Sequence, residues 1–273
     1  MNSIALNDGV VIPSLGLGVY KSADGSECEN AVRWALDAGY RHIDTAAYYE
    51  NERSVGSAVS SCGFPRQELF VTSKVWTNRI RSHTVRKSFF ESLEKLNLGY
   101  IDLFLIHWPV EGYEDAWREL IALKREGLVR SIGVSNFNPH HIERLIQLTG
   151  VSPSMNQIES HPYFQNQQVI DYCLSKGIAV TAWRPLGKLG GGIMEDPVLL
   201  ALSAEHGKSI AQIIIRWQLQ RKIVVIPKST HRERIYENFD VFDFELSDKE
   251  MAAIAALDKN RRLGADPENV PYD

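Results

Sequence analysis

The sequence predicts an α/β protein: a parallel (β/α)8 TIM barrel with an N-terminal β-hairpin and an irregular C-terminal tail. Three observations carry this. Short apolar, β-branched runs recur at 15–20, 41–45, 69–75, 101–107, 131–135, 153–159, 179–183 and 223–226, with helical stretches between them. Strands that alternate with helices must pair in parallel through crossovers, and eight such strands close a barrel. A chain of 273 residues with 44% apolar content suits one barrel of about 250 residues, so 1–273 reads as a single domain.

The hairpin comes first: Ile4 and Leu6, then Asn7-Asp8-Gly9, then Val10 to Ile12 leading to Pro13, with Gly9 free to take a positive φ at the turn. Helices follow the strands. Cys28, Ala31, Val32, Ala35 and Leu36 share one helical face, and Ile210, Ile213, Ile214 and Trp217 share another, so each helix is expected to carry a single apolar stripe. Gly39, Gly127 and Gly177 stand where helices must release the chain into the next strand. No proline-rich or low-complexity linker divides the chain. The glycine cluster at 187–192 follows a strand and is expected to be a flexible loop on the functional rim. Residues 258–273 carry Gly264, Pro267 and Pro271 and form an irregular tail whose path periodicity does not encode.

Thirty basic against 34 acidic residues leave a formal charge of -4, with no like-charge block long enough to track phosphates, which argues against a nucleic-acid partner. Cys28, Cys62 and Cys173 have neither metal-knuckle nor redox-pair spacing, as expected in a reducing compartment. Residues 1–16 lack a basic stretch followed by an apolar run, and no segment has the roughly 20 apolar residues of a membrane span. The expectation is a cytoplasmic protein with no membrane partner. No metal is expected either: His140 and His141 are adjacent, unlike a helical i, i+4 pair, and read as a solvated helix start. Two glycine motifs fail. Gly16-Leu17-Gly18 is followed by Lys21 where a dinucleotide fingerprint needs glycine, and Gly207-Lys208-Ser209 has leucine at 202 where a phosphate loop needs glycine.

In a barrel, catalytic groups stand at the carboxyl ends of strands or just beyond them. Four residues do so at three consecutive strands: Asp44, Tyr49 in the loop Ala46-Ala47-Tyr48-Tyr49-Glu50-Asn51-Glu52, Lys74 and His107. Singly, each has an ordinary role: a helix cap, a packing ring, a solvated amine, a hydrogen-bonded imidazole. Together they solve one problem. A phenol titrates near 10 and is a feeble acid unless a neighbouring ammonium stabilises its phenolate. Lys74 would supply that charge, Asp44 would keep it protonated and fixed, and a neutral His107 would orient a carbonyl oxygen.

Gly39-Tyr40-Arg41-His42-Ile43-Asp44-Thr45-Ala46, with Glu52 and Val55-Gly56, resembles the first signature of the aldo-keto reductases. Ile226-Pro227-Lys228-Ser229 with Arg234, Glu237 and Asn238 resembles their carboxyl-terminal signature. Between them lie Thr72-Ser73-Lys74-Val75-Trp76, Leu105-Ile106-His107-Trp108-Pro109, Gly133-Val134-Ser135-Asn136-Phe137 and Asn156-Gln157-Ile158-Glu159, in the family's order. The chain is most similar to the short bacterial members that include diketogluconate reductases.

The resemblance implies a catalytic tetrad of Asp44, Tyr49, Lys74 and His107, reducing aldehydes or ketones to alcohols with NADPH while Tyr49 donates the proton. It further implies that Ser135, Asn136 and Gln157 hold the nicotinamide amide and that Trp183 stacks on its ring, with Arg184 and Leu186 beside it. Lys228, Ser229 and Arg234 match the positions that grip the adenosine 2′-phosphate, and Glu237 and Asn238 complete that cofactor set. Tyr20, Trp76 and Trp108 match the substrate-pocket wall, a setting for small or flat carbonyl compounds. A monomer is implied as well.

Two positions depart from the family pattern: Val19 stands where a hydroxyl residue is frequent, and Arg184 where bacterial members usually have serine. Arg184 could favour an acidic substrate, contact the pyrophosphate, or point into solvent. The brief loop at 109–115 suggests an open mouth. Two other functions fit a barrel: a nucleotide-binding regulatory protein, against which a complete tetrad argues, and a lyase or isomerase using Lys74 as a Schiff base.

Overall fold

The computed structural model describes residues 3–187 and 191–272. Its strands are β1 (Ser3–Ala5), β2 (Val11–Pro13), β3 (Leu17–Gly18), β4 (His42–Asp44), β5 (Phe70–Val75), β6 (Ile101–Ile106), β7 (Val129–Ser135), β8 (Met155–Glu159), β9 (Ala179–Trp183) and β10 (Val224–Val225). Each of the eight runs read from the sequence contains or meets one of β3–β10. The helices are α1 (Ser26–Ala38), α2 (Glu52–Ser60), α3 (Thr77–Arg81), α4 (Val85–Leu96), α5 (Tyr113–Arg125), α6 (Pro139–Thr149), α7 (Gln167–Ser175), α8 (Pro197–His206), α9 (Ile210–Gln220), α10 (Arg232–Phe239) and α11 (Asp248–Ala255).

From β3 to β10 every neighbouring pair is parallel and in chain order. Parallel bridges from Leu15 to Val225 and from Gly18 to Lys228 join the first strand to the last and close the barrel. The flanks of β3 and β10 are therefore paired even though the regular ladder there is only two residues long.

Register fixes the site. Asp44 lies opposite Thr72, so Lys74, two residues further along β5, points to the same barrel interior as Asp44. Side chains alternate, so the strands also feed an outer apolar layer under the helices, including Val71, Phe104, Ile106, Ile132, Val134 and Ile158. At the amino ends of the strands, the β1–β2 hairpin pairs antiparallel. Its Leu6 and Ile12 pack into Phe70, Leu103, Leu105, Met155, Ala179 and Val224, plugging the barrel floor.

The face read for α1 is buried at all five positions, and Gly39 ends it at φ 112°, a left-handed conformation open to glycine. α9 differs from the expected single stripe: residues 212–218 are all buried. Its polar side chains are internally satisfied, Gln212 donating to the Asp240 carbonyl at 2.7 Å, Gln218 to the Ser160 carbonyl at 3.1 Å and Arg216 to Glu245 at 2.9 Å. No single helix among the described residues is long and apolar enough to cross a membrane, although α8 and α9, bent by 91°, have that length and composition as a pair. The glycine cluster at 187–192 falls in part on residues 188–190, outside the described residues.

Candidate active site

Beyond β4 the chain makes a short turn at Ala47–Tyr49 and a left-handed step at Glu50, φ 58°. Asn51 pins that loop from below. Its buried amide donates to the Val19 and Ser22 carbonyls at 2.9 and 3.0 Å and accepts from the Thr45 hydroxyl at 2.8 Å. Tyr49 is thereby held over the barrel mouth. Val19, one of the two departures, is buried, and its carbonyl serves this lock.

The four strand-end residues converge as the sequence suggested. Lys74, fully buried, donates to Asp44 Oδ1 at 2.6 Å and to the Thr45 carbonyl at 2.8 Å, and its Nζ lies 3.5 Å from the Tyr49 hydroxyl. Asp44 Oδ2 accepts from the Gln157 amide at 2.7 Å. His107 packs edge-on against Tyr49 and Trp76, with ring centroids 5.8 and 5.0 Å away. A carboxylate, an ammonium and a phenol thus stand in series, ending at the cavity.

Their electrostatics set burial against charge. Burial holds the Tyr49 phenol well above its ordinary range, reinforced by Asp44 and Tyr20. The Lys74 nitrogen 3.5 Å from the Tyr49 hydroxyl is itself paired with Asp44 at 2.6 Å. Lys74 itself is pulled below the usual ammonium range by burial, against the opposing pull of Asp44. His107 is held well below the usual imidazole range, by burial first and Lys74 second, and is neutral.

The site opens into a cavity of about 530 Å³ lined by Tyr20, Tyr49, Trp76, Trp108, Trp183 and Lys228, among others. Of the residues implied for the cofactor, Gln157, Trp183, Arg184, Leu186 and Lys228 line it. Ser135 and Asn136 do not; they are buried and brace its wall. Asn136 accepts from Trp183 Nε1 at 2.8 Å and donates to the His107 carbonyl at 3.0 Å, while the Ser135 hydroxyl donates to the Gln157 carbonyl at 2.9 Å. Ser229 is buried after β10, Asn238 is buried in α10, and Arg234 and Glu237 are exposed on α10. Neither Lys228 nor Arg234 forms an ion pair with another described residue.

Arg184 does not simply point into solvent. It sits at φ 50°, with its guanidinium 5.5 Å from the Trp183 ring centre and donating to the Leu263 carbonyl at 3.0 Å. The tail folds over the site: Gly264, Ala265 and Tyr272 line the cavity. Tyr272 stands 5.3 Å from Trp76 and 5.4 Å from Trp108, closing the side that the brief loop at 109–115 was expected to leave open. Tyr48, stacked on Trp76 at 3.8 Å, is a further wall residue that strand-end reasoning passed over. Aromatic residues beside a strand end were its available signal.

His141 is also corrected. It is buried rather than solvated, and its Nδ1 accepts the Asn138 backbone N–H at 3.2 Å in a helix-capping box. Its side chain, that of His140 and that of Glu268 come within metal-holding distance despite the adjacency of the histidines. Because the cap occupies Nδ1, an ion bound there would displace it or force the opposite tautomer against that N–H.

A parallel barrel whose carboxyl rim aims a buried carboxylate, ammonium and phenol at an aromatic cavity defines a class of carbonyl-reducing enzymes. The chain belongs to the Aldo/keto reductase family, whose model matches residues 14–259. It is 47% identical over 270 residues to a 9,11-endoperoxide prostaglandin H2 reductase of Trypanosoma cruzi (strain CL Brener), covering 98% of this chain and 95% of that protein. It is 45% identical over 272 residues to a glyoxal reductase of Bacillus subtilis (strain 168), covering 99% and 98%. A Bombyx mori aldo-keto reductase solved in complex with NADP superposes with a TM-score of 0.91 at 39% identity, covering 98% of this chain and 96% of that one.

Proposed function

We propose that this protein reduces aldehydes and ketones, small dicarbonyls above all, to alcohols with NADPH, using Tyr49 as general acid. The observation that carries the reading is the series Asp44, Lys74, Tyr49, which ends at the floor of the cavity. The glyoxal reductase relative supports a small dicarbonyl, and the flat aromatic walls also suit aromatic aldehydes or keto sugars.

The residues present fit NADPH. Lys228 and Arg234, exposed and without an ion-pair partner among the described residues, would with Ser229 hold a dianionic phosphate. Trp183, braced by Asn136, would stack on the nicotinamide, with Gln157 opening toward its amide. When bound, NADPH supplies the hydride. His107, neutral, donates a hydrogen bond that orients the carbonyl oxygen. Tyr49 keeps its proton until negative charge develops on that oxygen, then gives it up, and Lys74 stabilises the phenolate left behind. The Schiff-base alternative loses support, because Lys74 Nζ is already committed to Asp44 and the Thr45 carbonyl. Family resemblance supports a monomer, and three cysteines without disulfide or metal spacing support a reducing, cytoplasmic compartment.

A panel of glyoxals, aromatic aldehydes and keto sugars assayed for NADPH oxidation tests the reading. Turnover that Tyr49→Phe abolishes supports it; an active Tyr49→Phe variant, or borohydride trapping of substrate on Lys74, refutes it.

A further inference from the structure

Glu159 ends β8 on the same rim as Asp44 and Lys74, yet it takes no part in the proton path. It is buried, 1% exposed, and both oxygens of its carboxylate are occupied. Oε1 accepts the Leu263 backbone N–H at 2.7 Å and bonds His161 Nε2 at 3.2 Å; Oε2 accepts the Gly264 N–H at 2.8 Å. On the other side of the same peptide, Arg184 donates to the Leu263 carbonyl. One segment of the tail is therefore gripped through its backbone by an anion and a cation. Gly264 is the residue that allows so close an approach: a Cβ there would lie 2.4 Å from Trp183 Cη2 and 2.9 Å from Glu159 Oε2.

Beyond this grip the tail runs to Tyr272, which completes the aromatic wall with Trp76 and Trp108. The other contacts that the run from Ala265 to Tyr272 makes through polar groups are peripheral, such as Arg81 to the Tyr272 carbonyl and Asn138 to Glu268, both exposed. Exposed polar contacts of this kind hold a chain weakly; buried, charge-assisted bonds hold it firmly.

We propose that Glu159 is a positioning residue that acts through the tail. Its carboxylate, with Arg184, seats Leu263 and Gly264 against Trp183 and so places Tyr272 as the movable third wall of the carbonyl pocket. The link to substrate rests on the reductase reading above; the grip itself does not. Glu159→Gln removes the charge behind both backbone bonds and replaces one accepting oxygen with an N–H that faces a backbone N–H, so one bond is lost, two donors are set against each other and the other bond is weakened.

The test uses two readouts on the full-length protein. Arg261 and Arg262 immediately precede the gripped segment, so trypsin followed by mass spectrometry reports its release. In Glu159→Gln, cleavage after these residues should accelerate about tenfold or more, the factor expected for loss of one bond to a charged group. The KM for an aromatic aldehyde should rise by a similar factor, with kcat within about threefold and the NADPH Kd little changed. Tyr272→Ala should raise the same KM while leaving Arg261 and Arg262 protected, which separates the wall from its anchor. Gly264→Ala attacks the grip from the tail side and should likewise accelerate cleavage after Arg261 and Arg262; because its Cβ would also press on Trp183, only the proteolysis readout is taken from it. Wild-type trypsin resistance in both grip variants, or release of the tail without a rise in KM, overturns the proposal. A wild-type protein that reduces no carbonyl would sink the reductase reading, while proteolysis would still decide whether Glu159 holds the tail.

Discussion

Asp44→Asn removes the charge of the one carboxylate paired with a fully buried Lys74 while keeping its shape. At the observed 2.6 Å the Coulomb attraction is about 6 kcal/mol at an effective dielectric of about 20, before desolvation is subtracted. Stripping one partner from a buried pair commonly costs about 3–5 kcal/mol. In the variant, Lys74 can relieve most of that by losing its proton, because burial already pulls it below the usual ammonium range and Asp44 is the main opposing influence. The sign of the pH dependence follows. Lys74 binds its proton less tightly in the folded chain than in the unfolded one, so the folding penalty is full below its folded pKa. It fades as pH rises toward about 10.4, the unfolded value. Urea unfolding of Asp44→Asn should therefore show a deficit of about 3 kcal/mol near pH 7 that shrinks toward pH 10. Turnover should fall by about 10²-fold or more, because a neutral lysine cannot stabilise the Tyr49 phenolate. A variant with wild-type kcat, or with a stability deficit that does not change between pH 7 and 10, would refute the reasoning.

Three further outcomes are expected. Because burial and Lys74 hold His107 well below the usual imidazole range, kcat should show no inflection between pH 6 and 7; one that disappears in His107→Gln would show that the imidazole titrates there. Arg234→Ala should raise the KM for NADPH at least about tenfold more than that for NADH, since removal of a phosphate contact is felt only where the 2′-phosphate exists; equal effects in paired initial-rate assays would argue against that contact. Gly56→Ala should lower the unfolding midpoint, although alanine ordinarily favours a helix by about 1 kcal/mol, because its Cβ would lie 2.1 Å from the Leu96 carbonyl oxygen; a midpoint at or above wild type in a thermal melt would contradict the packing of α2 on α4.

The barrel was legible because its signals are local and periodic. Apolar runs of strand length, glycines at helix ends and polar residues closing the runs are each visible within a few positions, and they located β3 to β10, the hairpin and the Asp44, Lys74 and His107 rim. The same rule that singled out Asp44 also passes through Glu159, another carboxylate closing a run, whose partner lies about a hundred residues on in a segment without periodicity. Arg184 and Tyr272 were hidden for that reason: their roles exist only once the tail has crossed the mouth. At Tyr49 spacing cannot supply the balance between burial and a lysine charge paired with its own carboxylate. His141 was misread because a histidine beside a proline-led helix start looks solvated until its ring turns back to cap the helix.

The hairpin beneath the barrel has one more consequence. With Leu6 and Ile12 stoppering the bottom against Phe70, Leu105 and Met155, the described residues form a cup closed at its base. If Tyr49 is the proton donor proposed above, a floor sealed in this way leaves the mouth as the route for its reprotonation, and resetting the acid would then follow departure of the product.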